Sequence, residues 1–114
     1  MGKMKVNTQD IVGTIVRETA VYTVIDNAIL NNLTLSKTIL HPSHTTSGHS
    51  HDDLDEIYFF HSGYGSMQLG DEIIPVKPGD IVLIPGGMFH KVMNDEYGSD
   101  SDLEFICVFQ SYVR

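Results

Sequence analysis

The sequence predicts an all-β domain built as a sandwich or barrel of short strands. Three observations carry that expectation. β-Branched and aromatic residues gather in short runs, turn signals recur every six to twelve residues or so, and few stretches hold apolar residues at helical spacing. Ten Gly and four Pro in 114 residues supply the turns. The length suits one domain, 1–114, with a core large enough to need no disulfide framework.

The elements follow in order. Residues 11–16 and 20–25 are rich in Val, Ile and Thr and read as strands, with Asp26-Asn27 as the turn after them. Residues 28–30 and 33–40 read as two more strands around Asn31-Asn32. In the second, Leu33, Leu35, Lys37 and Ile39 alternate with Thr34, Ser36 and Thr38, so two unlike faces are separated. A polar loop, 41–50, leads to a strand at 56–60 that closes on Gly63-Tyr64-Gly65. Residues 66–69 and 72–76 form a hairpin across Gly70-Asp71. Lys77-Pro78-Gly79-Asp80 is a further turn, 81–84 an apolar strand, and Pro85-Gly86-Gly87 its end. Strands at 90–93 and 103–109 complete a set of nine or ten. The last is apolar at nearly every position, which implies cover on both faces, by the core on one side and a second subunit on the other.

Composition narrows the partners. The formal charge of −8 and the absence of a Lys/Arg cluster disfavour nucleic acid and anionic membranes. No apolar run approaches the ~20 residues of a membrane span, and no secretory signal is visible, so a soluble cytoplasmic protein is expected. The single cysteine, Cys107, lies in an apolar run and reads as a buried, inert thiol.

The chemistry concentrates in His49-Ser50-His51-Asp52-Asp53-Leu54-Asp55-Glu56. Histidines two residues apart share one face of an extended chain, so both imidazoles can converge on one point. Glu56 lies an odd number of residues beyond His51, and the acidic segment between them must turn to bring the carboxylate back. His90, after the Pro/Gly corner at 85–87, is a fourth candidate. Three neutral imidazoles and a carboxylate make a mixed N/O set suited to one divalent transition metal: Mn, Fe, Co, Ni, Cu or Zn. Tyr58 and Phe60 share parity with Glu56 and should point inward, Tyr58 as a candidate catalytic hydroxyl and Phe60 as core. Lys37, His41, His44 and His61 are polar groups within possible reach of the mouth, although solvated surface is the ordinary role for each. Asp52, Asp53 and Asp55 could orient ligand imidazoles or simply form a solvated turn.

These residues resemble the two sequence motifs of the cupins. His49-x-His51-x4-Glu56-x6-Gly63 is similar to the first motif, within 43–63. Gly79-x5-Pro85-x-Gly87-x2-His90-x3-Asn94 is similar to the second, within 79–94. One departure is visible: where the family usually places a Gly, six residues before the first motif His, this chain has Ser43, which puts the local turn in doubt. The resemblance implies a double-stranded β-helix, or jelly-roll barrel, with His49, His51, Glu56 and His90 holding a divalent metal. It also implies a small-molecule substrate and a homodimer. Short cupins like those related to mannose-6-phosphate isomerase suggest a metal-dependent enzyme of isomerase or epimerase type on a sugar or sugar phosphate. A metal-dependent dioxygenase and a non-catalytic sugar- or metabolite-binding protein are the alternatives, because the fold alone does not fix the reaction.

Overall fold

A computed structural model describes residues 5, 7, 9, 14–18, 22–27, 30, 32–48, 50, 54–94 and 101–110. Among these, nine strands are found: β1 (Thr14–Glu18), β2 (Tyr22–Asn27), β3 (Leu33–Leu40), β4 (Glu56–Ser62), β5 (Gly65–Leu69), β6 (Glu72–Val76), β7 (Ile81–Ile84), β8 (His90–Met93) and β9 (Leu103–Gln110). All pairings are antiparallel. Six strands form one sheet in the order β1-β2-β3-β9-β4-β7, and three form a second in the order β6-β5-β8. The two sheets close over one core as a double-stranded β-helix.

Strand parity decides what enters that core. In β4, Glu56, Tyr58 and Phe60 are buried while Ile57 and Phe59 are exposed; in β7, Val82 and Ile84 are buried while Ile81 and Leu83 are exposed. The large sheet contributes Leu40, Tyr58, Phe60, Val82, Ile84, Leu103, Phe105 and Cys107, and the small sheet contributes Met67, Val76 and Val92. Phe60 and Phe105 pack with ring centroids 5.0 Å apart, and Phe105 stacks on Tyr58 at 5.2 Å.

The turns follow from local chemistry. Leu69 pairs with Glu72, leaving Gly70-Asp71 as a two-residue hairpin loop, and Gly70 takes the positive φ of 57° that a tight hairpin requires. Gly63 has φ 88° and lies so close to the Asp102 carbonyl that no side chain fits there. Pro75, which has no N–H for a ladder, sits in β6 at a sheet edge. Ser43 adopts φ 64°, so the turn survives without its usual glycine, held by the Ser43 N–H donating to the Asn94 carbonyl at 2.8 Å.

Some expectations shift. Asp26 and Asn27 are not a turn but the end of β2, paired with Ser36 and Leu35 of β3, because ladder pairing overrides their turn preference. The first two strands end two residues later than expected, and residues 11–13, 20 and 21 of the expected spans lie outside the described residues. Of the strand expected over 28–30, Leu30 lies in a bend and residues 28 and 29 fall outside the described residues. On β3 the inward face is the hydroxyl-bearing one, with Thr34, Ser36 and Thr38 buried, whereas Leu33 is exposed. The barrel wall is therefore polar on this strand.

Candidate functional site

The strand registers define two ends of the barrel. Glu56 pairs with Ile84 and Phe109, and His90 pairs with Leu69, so both lie at one end. Leu40, Leu103 and Asn94 lie at the other.

Glu56 opens β4 and His90 opens β8, each with its side chain turned inward and nearly inaccessible, at 6% and 1% exposure. The His90 Nε2 stands 2.9 Å from Glu56 Oε2. The other ring nitrogen, Nδ1, lies 3.0 Å from the Met88 carbonyl oxygen. A carbonyl only accepts, so Nδ1 carries the proton, and a neutral imidazole then directs the Nε2 lone pair at a carboxylate oxygen. Two acceptors cannot face each other at that distance in a buried place without a cation between or beside them. A proton is one such cation. Burial works against protonating this imidazole, but hydrogen bonds to Glu56 and to the Met88 carbonyl, with the Glu56 charge, outweigh it and hold the pKa above the ordinary histidine value. A metal ion is the other, and one nitrogen and one oxygen donor converging on a dry point suit it.

The surroundings fix the imidazole. Tyr58 meets the His90 ring edge-on, with centroids 5.6 Å apart and planes at 90°. Tyr58 is itself buried, and its hydroxyl hydrogen-bonds with the Cys107 thiol. Burial, the nearby thiol and the Glu56 charge raise the Tyr58 pKa well above 10.0, so the phenol stays protonated. Burial and the Glu56 charge push the Cys107 thiol up to about 12, against smaller opposing hydrogen bonds from Tyr58, Thr38 and Ser36. Asp55 accepts from the Gly86 backbone N–H at 2.9 Å, tying the entry to β4 to the Pro85-Gly86-Gly87 corner. Asp55 thus braces a turn.

Other residues offered by the sequence lie elsewhere. Lys37 lies on the opposite face of β3 from Ser36 and Thr38, where it is buried and not solvated, and pairs with Glu104 at 3.2 Å. His61 lies 3.9 Å from the same carboxylate, in a bulge of β4, and burial is the main cause of its lowered pKa. His41 pairs with Asp102 at 3.1 Å. The His44 carbonyl accepts from the Asn94 N–H at 2.9 Å, at the far end. None of these four is at the Glu56–His90 end.

His49 and His51, the other two expected ligands, lie outside the described residues, as do Asp52 and Asp53. Among the described residues, no group of three or more His, Cys, Asp and Glu gathers in metal-binding geometry; Glu56 and His90 are a pair. The chain on the near side of His49 is placed, however. Residues 43–46 run antiparallel to β8, with Thr45 opposite Met93, Thr46 N–H donating to the Val92 carbonyl at 2.9 Å, and the Val92 N–H donating to Thr46 Oγ1 at 2.9 Å. Sequence reasoning gave this arm no role; the Thr-Thr pair at 45–46, extended and β-branched, was the signal for it.

Asn94, known from the sequence only as a motif position, is a structural tie. Its Nδ2 donates to the carbonyls of Leu40 and Ser101, each at 2.9 Å, joining β8 to the ends of β3 and β9.

Comparison with known proteins agrees with this architecture. The uncharacterized protein MJ1618 of Methanocaldococcus jannaschii is 39% identical over 59 residues, which is 52% of this chain and 41% of that relative, so the match spans well under half of its length. The structure of KdgF from Halomonas sp. superposes with a TM-score of 0.79 at 17% identity, covering 99% of this chain and 96% of that one. A predicted oxalate decarboxylase from Thermotoga maritima gives 0.72 at 22% identity, covering 96% and 100%. At such identities the likeness is one of fold. Among the described residues, no helix is long and apolar enough to cross a membrane. The sequence profile of the cupin domain (Cupin_2) matches residues 36–109, and the chain belongs to the cupin family.

Proposed function

We propose that this cupin binds one divalent transition metal through His49, His51, Glu56 and His90 and acts on a small polar molecule, a sugar or sugar phosphate, in isomerase-type chemistry. The observation that carries the reading is the buried pair of facing acceptors, His90 Nε2 and Glu56 Oε2 at 2.9 Å. A proton on His90 joins the pair when no metal is bound, and a metal ion replaces that proton, since a nitrogen and an oxygen ligand converge there. A polar small molecule is the kind of ligand suggested by the short cupins that these motifs resemble.

Each residue has a role in this reading. Glu56 supplies the anionic oxygen. His90 supplies a neutral nitrogen, its tautomer set by the Met88 carbonyl and its ring plane by Tyr58. Tyr58, the hydroxyl the sequence offers for catalysis, stays protonated and acts as a positioning wall or as a donor, never as a base at neutral pH. A divalent ion at this point supplies Lewis acidity to a chelating hydroxy-carbonyl group. A homodimer forms through the outer face of the six-stranded sheet, where Ile57, Phe59, Ile81 and Leu83 are exposed side by side on β4 and β7. Light scattering tests that point, and a monomer at micromolar concentration removes it.

The function is tested on protein purified without added metal. Elemental analysis should find one transition metal per chain, and a panel of sugars and sugar phosphates should raise the melting temperature of the loaded protein only. Proton exchange at a bound sugar would mark an isomerase. Oxygen uptake across a substrate panel would transfer the assignment to a dioxygenase. Absence of metal together with absence of any ligand shift would refute the reading.

A further inference from the structure

The two halves of the proposed metal set lie far apart in sequence, and something must hold them in register. Three features of the described chain bear on this. First, the arm at 43–46 pairs with β8, Thr45 lying opposite Met93. Continued one for one in the antiparallel sense, that register brings position 48 opposite position 90. Second, Gly48 lies flat against the Phe89 ring: a Cβ added to Gly48 would fall among the ring atoms Cζ, Cε1 and Cε2. Third, Phe89 is itself anchored. Its carbonyl accepts from the Gly70 N–H at 2.8 Å, and it lies between Met88, whose carbonyl holds His90 Nδ1, and His90.

Gly48 and Phe89 therefore touch one residue before His49 and one residue before His90. We infer that this glycine-on-ring contact is the joint that sets where the His49 arm meets His90, making Gly48 and Phe89 positioning residues for the metal set. The inference rests on the metal reading above. Phe89 is 40% exposed, so its ring is not a core residue. Its position is explained by what it covers. The backbone ladder carries the arm as far as Thr46, and the ring carries it on to Gly48. Only glycine permits so close an approach, and its φ here is not in the left-handed region, so the requirement is one of space and not of backbone conformation.

A substitution cycle separates this role from simple stability. Co²⁺ is titrated into metal-free wild type, Gly48→Ala, Phe89→Ala and the double variant by calorimetry, with melting temperatures recorded without metal. Gly48→Ala should weaken Co²⁺ binding about tenfold or more, the range seen when groups that orient ligands are lost. Its metal-free melting temperature should stay within a few degrees of wild type, because a partly exposed ring can move aside. Phe89→Ala should also weaken binding. In the Phe89→Ala background, however, Gly48→Ala should cost nothing further, since the atoms it would meet are gone. Wild-type affinity in Gly48→Ala, or the same loss in both backgrounds, overturns the joint. The contact is also read directly, without metal, as an upfield ring-current shift of the Gly48 α protons that Phe89→Ala abolishes. A wild type that shows this shift and binds no Co²⁺ refutes the metal reading and with it the joint's purpose. One that binds Co²⁺ without the shift refutes the joint alone.

Discussion

The barrel holds two buried polar centres, and they are built on opposite principles. At the far end, Asn94 donates to two carbonyls and has its backbone tied to Ser43 and His44. At the mouth, His90 Nε2 and Glu56 Oε2 face each other at 2.9 Å. The first centre uses its amide donors for hydrogen bonds within the chain, while Asn94 Oδ1 meets no donor among the described residues. The second sets an imidazole nitrogen and a carboxylate oxygen where a proton or, as we propose, a metal ion joins them. A buried polar group can thus serve stability or binding, and substitution tells which.

That contrast can be broken by substitution. Asn94→Ala removes both donors and leaves the Leu40 and Ser101 carbonyls unmet, which should cost about 3 kcal/mol of stability by chemical denaturation. The fraction that still folds should bind metal normally. Cys107, which lies between the two centres beside Tyr58, gives a second large effect, through pH. Its pKa is pushed up to about 12 from an ordinary 9.0, so its stabilising contribution is complete below pH 9 and is lost as pH rises toward 12. The native thiol should accordingly resist alkylation at pH 8 and react only as fast as the chain unfolds. Prompt labelling of the folded protein would contradict its placement.

Glu56→Gln should behave as the reverse of Asn94→Ala. The new amide can donate to His90 Nε2, so metal-free stability should change by no more than about 1 kcal/mol, while metal affinity falls at least tenfold or so. A large loss of stability would place Glu56 among the braces. The smallest effect belongs to Ser43, whose φ of 64° is uncomfortable for any residue with a Cβ. Ser43→Gly should raise stability by up to about 1 kcal/mol and leave metal binding alone.

The sequence made much of this legible. Turn dipeptides and period-two burial placed seven strands of nine close to their final bounds, because Gly70-Asp71 and Lys77-Pro78-Gly79-Asp80 carry their geometry in their own chemistry. The first two strands end later than expected, β2 because Asp26 and Asn27 answer to β3 and not to local preference. Which face of β3 turns inward was not legible either. Apolar residues ordinarily face a core, but here the barrel wall takes Ser36 and Thr38, which hydrogen-bond to the buried Cys107 thiol. On β4 and β7 both faces carry apolar or aromatic residues, so Ile57, Phe59, Ile81 and Leu83 are left exposed. At the site, ligand spacing pointed to Glu56 and His90, which the fold brings together from positions 34 residues apart. The roles of Asn94, Thr46 and Phe89 were hidden because each depends on a partner distant in sequence: Leu40, Val92 and Gly48.

We propose that the Glu56–His90 pair exists to hold a metal. That proposal is tested most directly by measuring metal stoichiometry in wild type and in His90→Ala after equilibration with excess Co²⁺ and removal of unbound ion. One ion per chain in wild type and a marked loss in His90→Ala, with the variant still folded, is the expected result. Full stoichiometry retained in His90→Ala, or no ion bound by wild type, would contradict it.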